Sequence, residues 1–301
     1  MKNKLFLLSS FIIFIFIIFT TSCFNRITYN NSFSCFSTVV DITIYDTKNS
    51  NKYFKEIKTE MKKIHNSTNY YNGELYELNK NRSIDASDYL IDVLNYSIEL
   101  KELTNGYFNP LVGRLVNIYK DEDKYKDITD ELIQNELEII NNSYINIEGN
   151  YVSIYGDANI DLGAITKGYA TKWCKEYFSN KGIKKYIINC GESSISCGTN
   201  CIKVGLLVPG ERDEYFKKVN LKNEGISTSN LGYQAHHIIN PLTGYQESYY
   251  ESLSIISDND LYNDAFSTAC FNMDLDSLNK FRDEQGFKYI IYTKEKEVIN
   301  G

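Results

Sequence analysis

The chain has 301 residues, 43% hydrophobic and 24% charged, the proportions of a folded globular protein. Its 39 acidic residues outnumber 32 basic ones for a formal net charge of −7, which argues against a nucleic-acid surface. Three prolines and seventeen glycines exclude collagen-like and low-complexity chains, and the length allows one large domain or two modest ones.

The N-terminus reads as an address. Lys2 and Lys4 precede an apolar run from Leu5 to Phe19, then small residues up to Cys23. That run is shorter than the roughly 20 residues a membrane-crossing helix needs, so residues 1–22 have the layout of a secretory signal. Thr20-Thr21-Ser22-Cys23 resembles a bacterial lipobox, with Thr20 where leucine is usual. The resemblance implies a lipid on Cys23 and a domain anchored on the extracytoplasmic side of the membrane; an uncleaved N-terminal anchor is the alternative. Cleavage would remove two lysines and move the net charge from −7 to −9. Residues 23–35 then read as a polar tether and 36–301 as the folded domain.

Along that domain, Ser37–Asp46 alternates β-branched and polar residues, a strand. Phe54, Ile57, Met61 and Ile64 make a helical stripe within Tyr53–His65. Asp85–Leu103 is a second helix, closed by Thr104-Asn105-Gly106. Thr129 opens a third through Ile140. Tyr144–Ile154 reads as a hairpin around Gly149-Asn150, and Ile165–Asn180 as a helix. Strands follow at Lys185–Asn189, Ile202–Val208 and Leu253–Ser257, then a helix from Asn263 to Phe271 and a strand at Lys288–Thr293. Strands and helices mix without regular βαβ alternation, which predicts an α+β fold in one compact domain.

Beyond Cys23 the cysteines are Cys35, Cys174, Cys190, Cys197, Cys201 and Cys270. Cys197 and Cys201 could be bridged across a turn; free thiols are the expectation for most, and no second Cys pair or nearby histidine completes a zinc site.

The dinucleotide fingerprint, the phosphate loop, the zinc-protease helix and the serine-hydrolase elbow are all missing from the sequence. Four polar clusters interrupt the apolar pattern instead: Gly106–Gly113, Asp161–Ala170, the stretch from Ser227-Thr228-Ser229 to Gly244, and Asn263–Thr268. Asp161-Leu162-Gly163 opens a helix carrying Lys167 in its first turn, and unpaired N–H groups there favour a phosphate. Asp264 and Thr268 are four apart and share a helix face. A carboxylate and a hydroxyl, with a backbone carbonyl, make a hard oxygen set suited to Mg²⁺. The same spacing also fits Asp264 as an N-terminal helix charge and Thr268 as a hydroxyl bonded back to its own helix. Lys167 alone fits a solvated lysine, Asp161 a cap, and His236-His237 a structural pair.

Taken together and in order, these clusters resemble the ApbE family, the FAD:protein FMN transferases. The match runs from about Phe36 to Asn300. Its strongest piece is Asp161-Leu162-Gly163-Ala164-Ile165-Thr166-Lys167-Gly168-Tyr169-Ala170, close to the family's DLGAIAKGYA. Gly106-Tyr107-Phe108-Asn109-Pro110, His237-Ile238-Ile239-Asn240-Pro241-Leu242-Thr243-Gly244 and Asp264-Ala265-Phe266-Ser267-Thr268 follow the family's G-x-F-D-P, H-I-I-D-P-x-T-G and D-A-L-S-T; Asn189-Cys190-Gly191 stands at N-x-G-G.

The resemblance implies a T-fold-like domain of sheets packed with helices. It implies Mg²⁺ held by Asp264, Thr268 and the carbonyl of Ala164. FAD, as substrate, would meet Phe36, Tyr70, Tyr107, Phe108, Asn109, Asp161, Lys167 and Ile238, with His237 as proton acceptor. The implied reaction moves FMN onto a Ser/Thr of a flavin-accepting redox subunit and releases AMP. Hydrolysis to FMN and AMP, flavin binding without turnover, and a solute-binding or structural envelope role are the rival readings. The sequence departs from the family at Asn109 and Asn240, both aspartate positions, at Glu192 and Asn230, where glycine is usual, and at Gly73, a usual serine.

Overall fold

The computed structural model describes residues 28–45, 47–121, 126–232, 238–246 and 249–301. The signal segment, Cys23 and both His236 and His237 lie outside the described residues.

Val40, Ile42 and Ile44 alternate with polar neighbours and point inward from β2 (Thr38–Tyr45), each 1% exposed or less. This strand does not lie at the sheet edge. The segment expected as a tether supplies β1 (Thr28–Cys35), paired antiparallel with β2 over its whole length from Thr28↔Tyr45 to Cys35↔Thr38. Its outward residues, Thr28, Asn30, Ser32 and Ser34, are exposed and polar, so the segment looks like a linker in sequence while its backbone forms a protected edge strand.

β1 and β2 begin an eight-stranded sheet. It continues through β6 (Tyr186–Cys190), β7 (Ser194–Cys197), β10 (Gly225–Asn230), β11 (Ser252–Ser257), β12 (Lys288–Tyr292) and β13 (Val298–Asn300), all pairs antiparallel. A smaller sheet joins β3 (Ser83–Asp85) and the expected hairpin β4 (Tyr144–Glu148) and β5 (Tyr151–Tyr155). A separate ribbon pairs β8 (Ile202–Leu207) with β9 (Tyr215–Leu221) over its own small core of Cys197, Val204, Leu206, Leu221, Ile226, Ile256 and Ile290.

The helices are α1 (Ser50–Thr68), α2 (Glu74–Asn81), α3 (Asp88–Leu103), α4 (Gly113–Lys120), α5 (Asp130–Asn141), α6 (Thr166–Asn180), α7 (Asp260–Phe271) and α8 (Leu275–Gln285). Caps set several starts. Ser87, Thr129, Asn259 and Asp274 each accept a backbone N–H of the first turn through their side chains. The α1 stripe is buried as the spacing predicts, with Ile57, Met61 and Ile64 at 0% exposure. α7 lies against β10, β11 and α6, and α6 against α1. The result is the α+β single domain expected from the sequence, with one continuous main core.

Some elements were not legible. α4 and α8 are short, and β7, β10 and β13 lack the alternation that marks a half-buried strand. α7 begins at Asp260, one turn ahead of its expected start. None of the six cysteines among the described residues is bridged; Cys201 is exposed and the other five are buried. Among these residues no helix is long and apolar enough to cross a membrane.

Candidate active site

The four clusters converge. Their meeting point is the contact between the first turn of α6 and the second turn of α7. Asp264 is 5% exposed, and its carboxylate accepts the Gly168 N–H at 2.8 Å and the Ser194 hydroxyl at 3.0 Å. Lys167 Nζ stands 3.7 Å from the same carboxylate. Thr268, one turn along α7 and half-buried, lies 3.5 Å from the Ser229 hydroxyl.

Gly168 is the third residue of α6, so its N–H is one of the first-turn donors without a partner inside the helix, and Asp264 takes it up. Ala164 lies two residues ahead of the helix, just before the cap residue Ile165. The Leu162 carbonyl, two residues before Ala164, accepts the N–H groups of Ile165 and Thr166 and the Thr166 hydroxyl. A carboxylate (Asp264) and a hydroxyl (Thr268) one turn apart on α7 stand where α7 meets the first turn of α6, and the Ala164 carbonyl belongs to the segment leading into that turn. These hard oxygens fit a small divalent cation. The Lys167 ammonium, drawn to the same carboxylate, shows that the junction attracts positive charge. Among the described residues no group of three or more His, Cys, Asp or Glu side chains is placed to hold a metal ion.

Backbone bonds tie the other clusters to this junction. Asp161 N–H donates to the Pro110 carbonyl at 2.8 Å, and Gly113 N–H to the Asn159 carbonyl at 2.8 Å. Asp161 itself accepts Gly163 N–H at 2.7 Å, which bends the chain into α6, and pairs with Lys120 at 3.9 Å. Asn109 and Asn240 play the same part in two turns. The Asn109 side-chain oxygen accepts Leu111 N–H at 3.0 Å, and that of Asn240 accepts Leu242 N–H at 2.9 Å. Both asparagines are at most 9% exposed. An aspartate oxygen would accept the same bond, so these departures keep the turn and change only the charge. Asn272 Nδ2 reaches the Ile239 carbonyl at 3.3 Å, which fastens this third cluster to α7.

Phe36 sits at the tip of the β1–β2 hairpin with Ser37, at φ of 54° and 58°. Two successive left-handed residues make the tight primed turn that usually takes Asn-Gly, and neither residue here is suited to it. Such strain costs about 1–3 kcal/mol per residue and concentrates at functional positions. The Phe36 ring meets His65 edge-on at 5.6 Å. Beside the turn lies a cleft of about 770 Å³ lined by Ser34, Cys35, Ser37, Thr38, Val39, Lys62, His65 and Asn66. Burial pushes the His65 imidazole below its ordinary range, favouring the neutral ring.

Tyr70 donates to the Gly113 carbonyl at 3.3 Å and receives Asn159 Nδ2 at 3.5 Å, so it belongs to the loop wall. Burial raises its phenol above the ordinary range, with Asp161 nearby adding to the rise. Phe108 and Ile238 are each 4% exposed, the former held by its N–H on the Thr104 hydroxyl at 2.9 Å. Tyr107 is half-buried against the main core. Lys167 and Asp264 are thus brought together, with Thr268 one turn along α7, Ala164 and Asp161 in the segment leading into α6, and Tyr70, Phe108 and Asn109 in the adjoining loops. Phe36 stands at a hairpin tip, and His237 lies outside the described residues.

Ser194 and Arg82 were not singled out from sequence. Arg82 takes a left-handed conformation (φ 66°) and donates to the carbonyls of Asn79, Gly156 and Ala158 and to Asn159 Oδ1, clamping the loop that leads to Asp161. An arginine after a helix carries no local mark of that role. Ser194 likewise acts only across the sheet.

Fold and junction together define a one-domain α+β protein whose acid–alcohol pair meets a lysine-bearing helix entry. The chain belongs to the ApbE family, whose model matches residues 36–291. It is similar to an FAD:protein FMN transferase of Klebsiella pneumoniae (strain 342), 23% identical over 237 residues, covering 70% of this chain and 67% of that protein. A second protein of that name and strain is 26% identical over 151 residues, 46% of this chain and about half of its own length (47%). Its fold is that of the ApbE protein of Thermotoga maritima, TM-score 0.81 at 21% identity over 91% of this chain and 97% of the other. The flavin transferase ApbE of Vibrio cholerae gives 0.75 at 19% identity over 92% and 97%, and the Pseudomonas stutzeri flavinyl transferase 0.79 at 14% over 92% and 95%.

Proposed function

We propose that this protein is an FAD:protein FMN transferase that moves FMN from FAD to a Ser or Thr hydroxyl of a target redox protein, releases AMP and requires Mg²⁺. The observation that supports the reading is the α6–α7 junction, where Asp264 accepts the Gly168 N–H and stands 3.7 Å from Lys167 Nζ. Family membership and the curated relatives' printed activity support it.

Asp264, Thr268 and Ala164 would hold the cation, which when bound would neutralise the pyrophosphate and stabilise charge developing on the leaving AMP. The chain's own groups do the rest. Lys167 would supply a fixed ammonium to the phosphates at the helix entry. Phe36, Tyr70 and Tyr107 would offer partly exposed rings to the flat ring systems, with Phe108 and Ile238 buried in the core, and Asn109 and Asp161 hold the loop that shapes the wall. The acceptor hydroxyl forms a bond to the FMN phosphorus as the bond to the AMP oxygen breaks. Its proton passes to a base, for which His237 is the assigned residue.

We assign export to residues 1–22 and a lipid to Cys23, on the sequence pattern alone; radiolabelled fatty acid on the wild type and its loss in Cys23→Ser tests that assignment. The activity is tested by incubating the full chain with FAD, Mg²⁺ and a Ser/Thr acceptor peptide. The expected result is one FMN added to the peptide with one AMP released. FAD binding with neither product overturns the transferase reading, and AMP release without peptide modification reassigns the protein as an FAD pyrophosphatase.

A further inference from the structure

One of the two bonds that orient the Asp264 carboxylate comes from Ser194, a residue outside the four clusters. β6 and β7 are joined by only Gly191, Glu192 and Ser193, with Cys190 directly opposite Ser194. Gly191 and Glu192 are both left-handed, at φ of 67° and 62°. A Cβ at Gly191 would fall 2.4 Å from the Thr38 hydroxyl oxygen, so the turn is seated tightly against β2. This fixes the register of β7, and a one-residue slip would move Ser194 to the opposite face.

In that register Ser194 is 2% exposed and its hydroxyl donates to Asp264 Oδ1 at 3.0 Å. Its cross-strand neighbour on β10 is Ser227, also 2% exposed, whose hydroxyl donates to Ser194 Oγ at 3.2 Å. The incoming bond occupies a lone pair of Ser194 and commits its proton to Asp264. Both carboxylate oxygens are consequently anchored, Oδ2 by Gly168 N–H and Oδ1 by Ser194, from two elements that do not belong to α7. A carboxylate held this way keeps its remaining lone pairs in a fixed direction, which is how an outer hydrogen bond tunes a metal ligand.

We propose that Ser194, backed by Ser227, is the positioning residue of the cation site, orienting Asp264 without touching the substrate. This rests on the cation site proposed above. The buried serine pair would otherwise be an odd use of two core positions, since neither hydroxyl caps a helix or closes a turn.

The test is direct binding of Mn²⁺ to the full chain, read as loss of the free-ion electron paramagnetic resonance signal, with no turnover involved. Ser194→Ala should weaken Mn²⁺ about tenfold, as removal of an outer-sphere partner does, while Ser194→Thr restores it by keeping the hydroxyl. Wild-type affinity in Ser194→Ala overturns the positioning role. Asp264→Ala is the control: if it also binds Mn²⁺ like the wild type, the cation site itself is wrong, and the two failures are told apart. Circular dichroism checks folding. If Ser194→Ala does not fold, Ser227→Ala takes its place; weakened Mn²⁺ binding supports the proposal, and unchanged binding overturns it.

Discussion

Gly168 and Asp264 are bonded at 2.8 Å from amide to carboxylate, and their backbones are so close that a Cβ on Gly168 would fall 2.6 Å from the Cβ of Asp264. The same added carbon would meet the Asp260 carbonyl oxygen at 2.8 Å and the Leu261 Cα at 3.0 Å. The glycine is there for contact between α6 and α7, since its own conformation is helical. Gly168→Ala should therefore cost about 1–3 kcal/mol of stability by overpacking. It should also lower AMP release by pushing Asp264 away from the first turn of α6. Urea unfolding and product chromatography read the two effects, and a variant of full stability and activity would show that the helices are not in close contact.

The two Asn-Pro turns give a prediction about structure apart from chemistry. Asn109→Ala leaves the buried N–H of Leu111 without its acceptor, while Asn240→Ala frees the N–H of Leu242, a residue 49% exposed. Asn109→Ala should lower stability by about 1–3 kcal/mol in denaturant unfolding, and Asn240→Ala by less, because water can replace the lost acceptor. The asparagines' side-chain oxygens are what the turns use, so the loss of charge relative to aspartate would not register in that measurement.

Arg82 gathers the carbonyls of Asn79, Gly156 and Ala158 in one planar fork. Lysine carries the charge but cannot span the set. Arg82→Lys should cost about 1.5–3 kcal/mol, the worth of hydrogen bonds to a charged group. Faster amide exchange at Ile160 and Asp161 would report the loosened loop; unchanged exchange would show that the clamp is redundant.

The thiols divide by burial. Cys201 is exposed, whereas Cys35, Cys174, Cys190, Cys197 and Cys270 are buried. Among these six, only Cys201 should react promptly with a disulfide reagent, and Cys201→Ser should abolish that fast phase. Burial pushes the Cys190 thiol from 9.0 up to about 12, and that of Cys35 to about 11. A raised folded value means the unfolded thiol ionises first. The stabilisation is whole below pH 9 and is lost as pH rises through the folded values, so unfolding free energy should fall steadily above pH 9. The fall should be shallower in Cys190→Ala, measured as the slope with pH and not as the absolute stability.

Much of the architecture is written locally. The α1 stripe, the Thr129 cap and the Gly149-Asn150 hairpin depend on neighbours within one or two turns, and such signals survive in a single sequence. The Asp264–Thr268 spacing belongs to the same class, because a helix turns i and i+4 to one side whatever surrounds it. The assignment of the Ala164 carbonyl rests on the family resemblance alone, because no side-chain pattern marks a backbone oxygen.

Other features exist only between distant segments. Residues 28–35 have the composition of a linker and become a strand because β2 offers a partner for their backbone. Ser194 looks like any strand serine until the Gly191-Glu192 turn sets it against Ser227 and beneath Asp264. Arg82 is unremarkable until the loop at 156–159 folds over it. Periodicity and caps record the cost of local conformation, which the chain carries with it. Register, close approach and the direction of a buried carboxylate depend on what is packed opposite, and that is decided only when the chain has closed on itself.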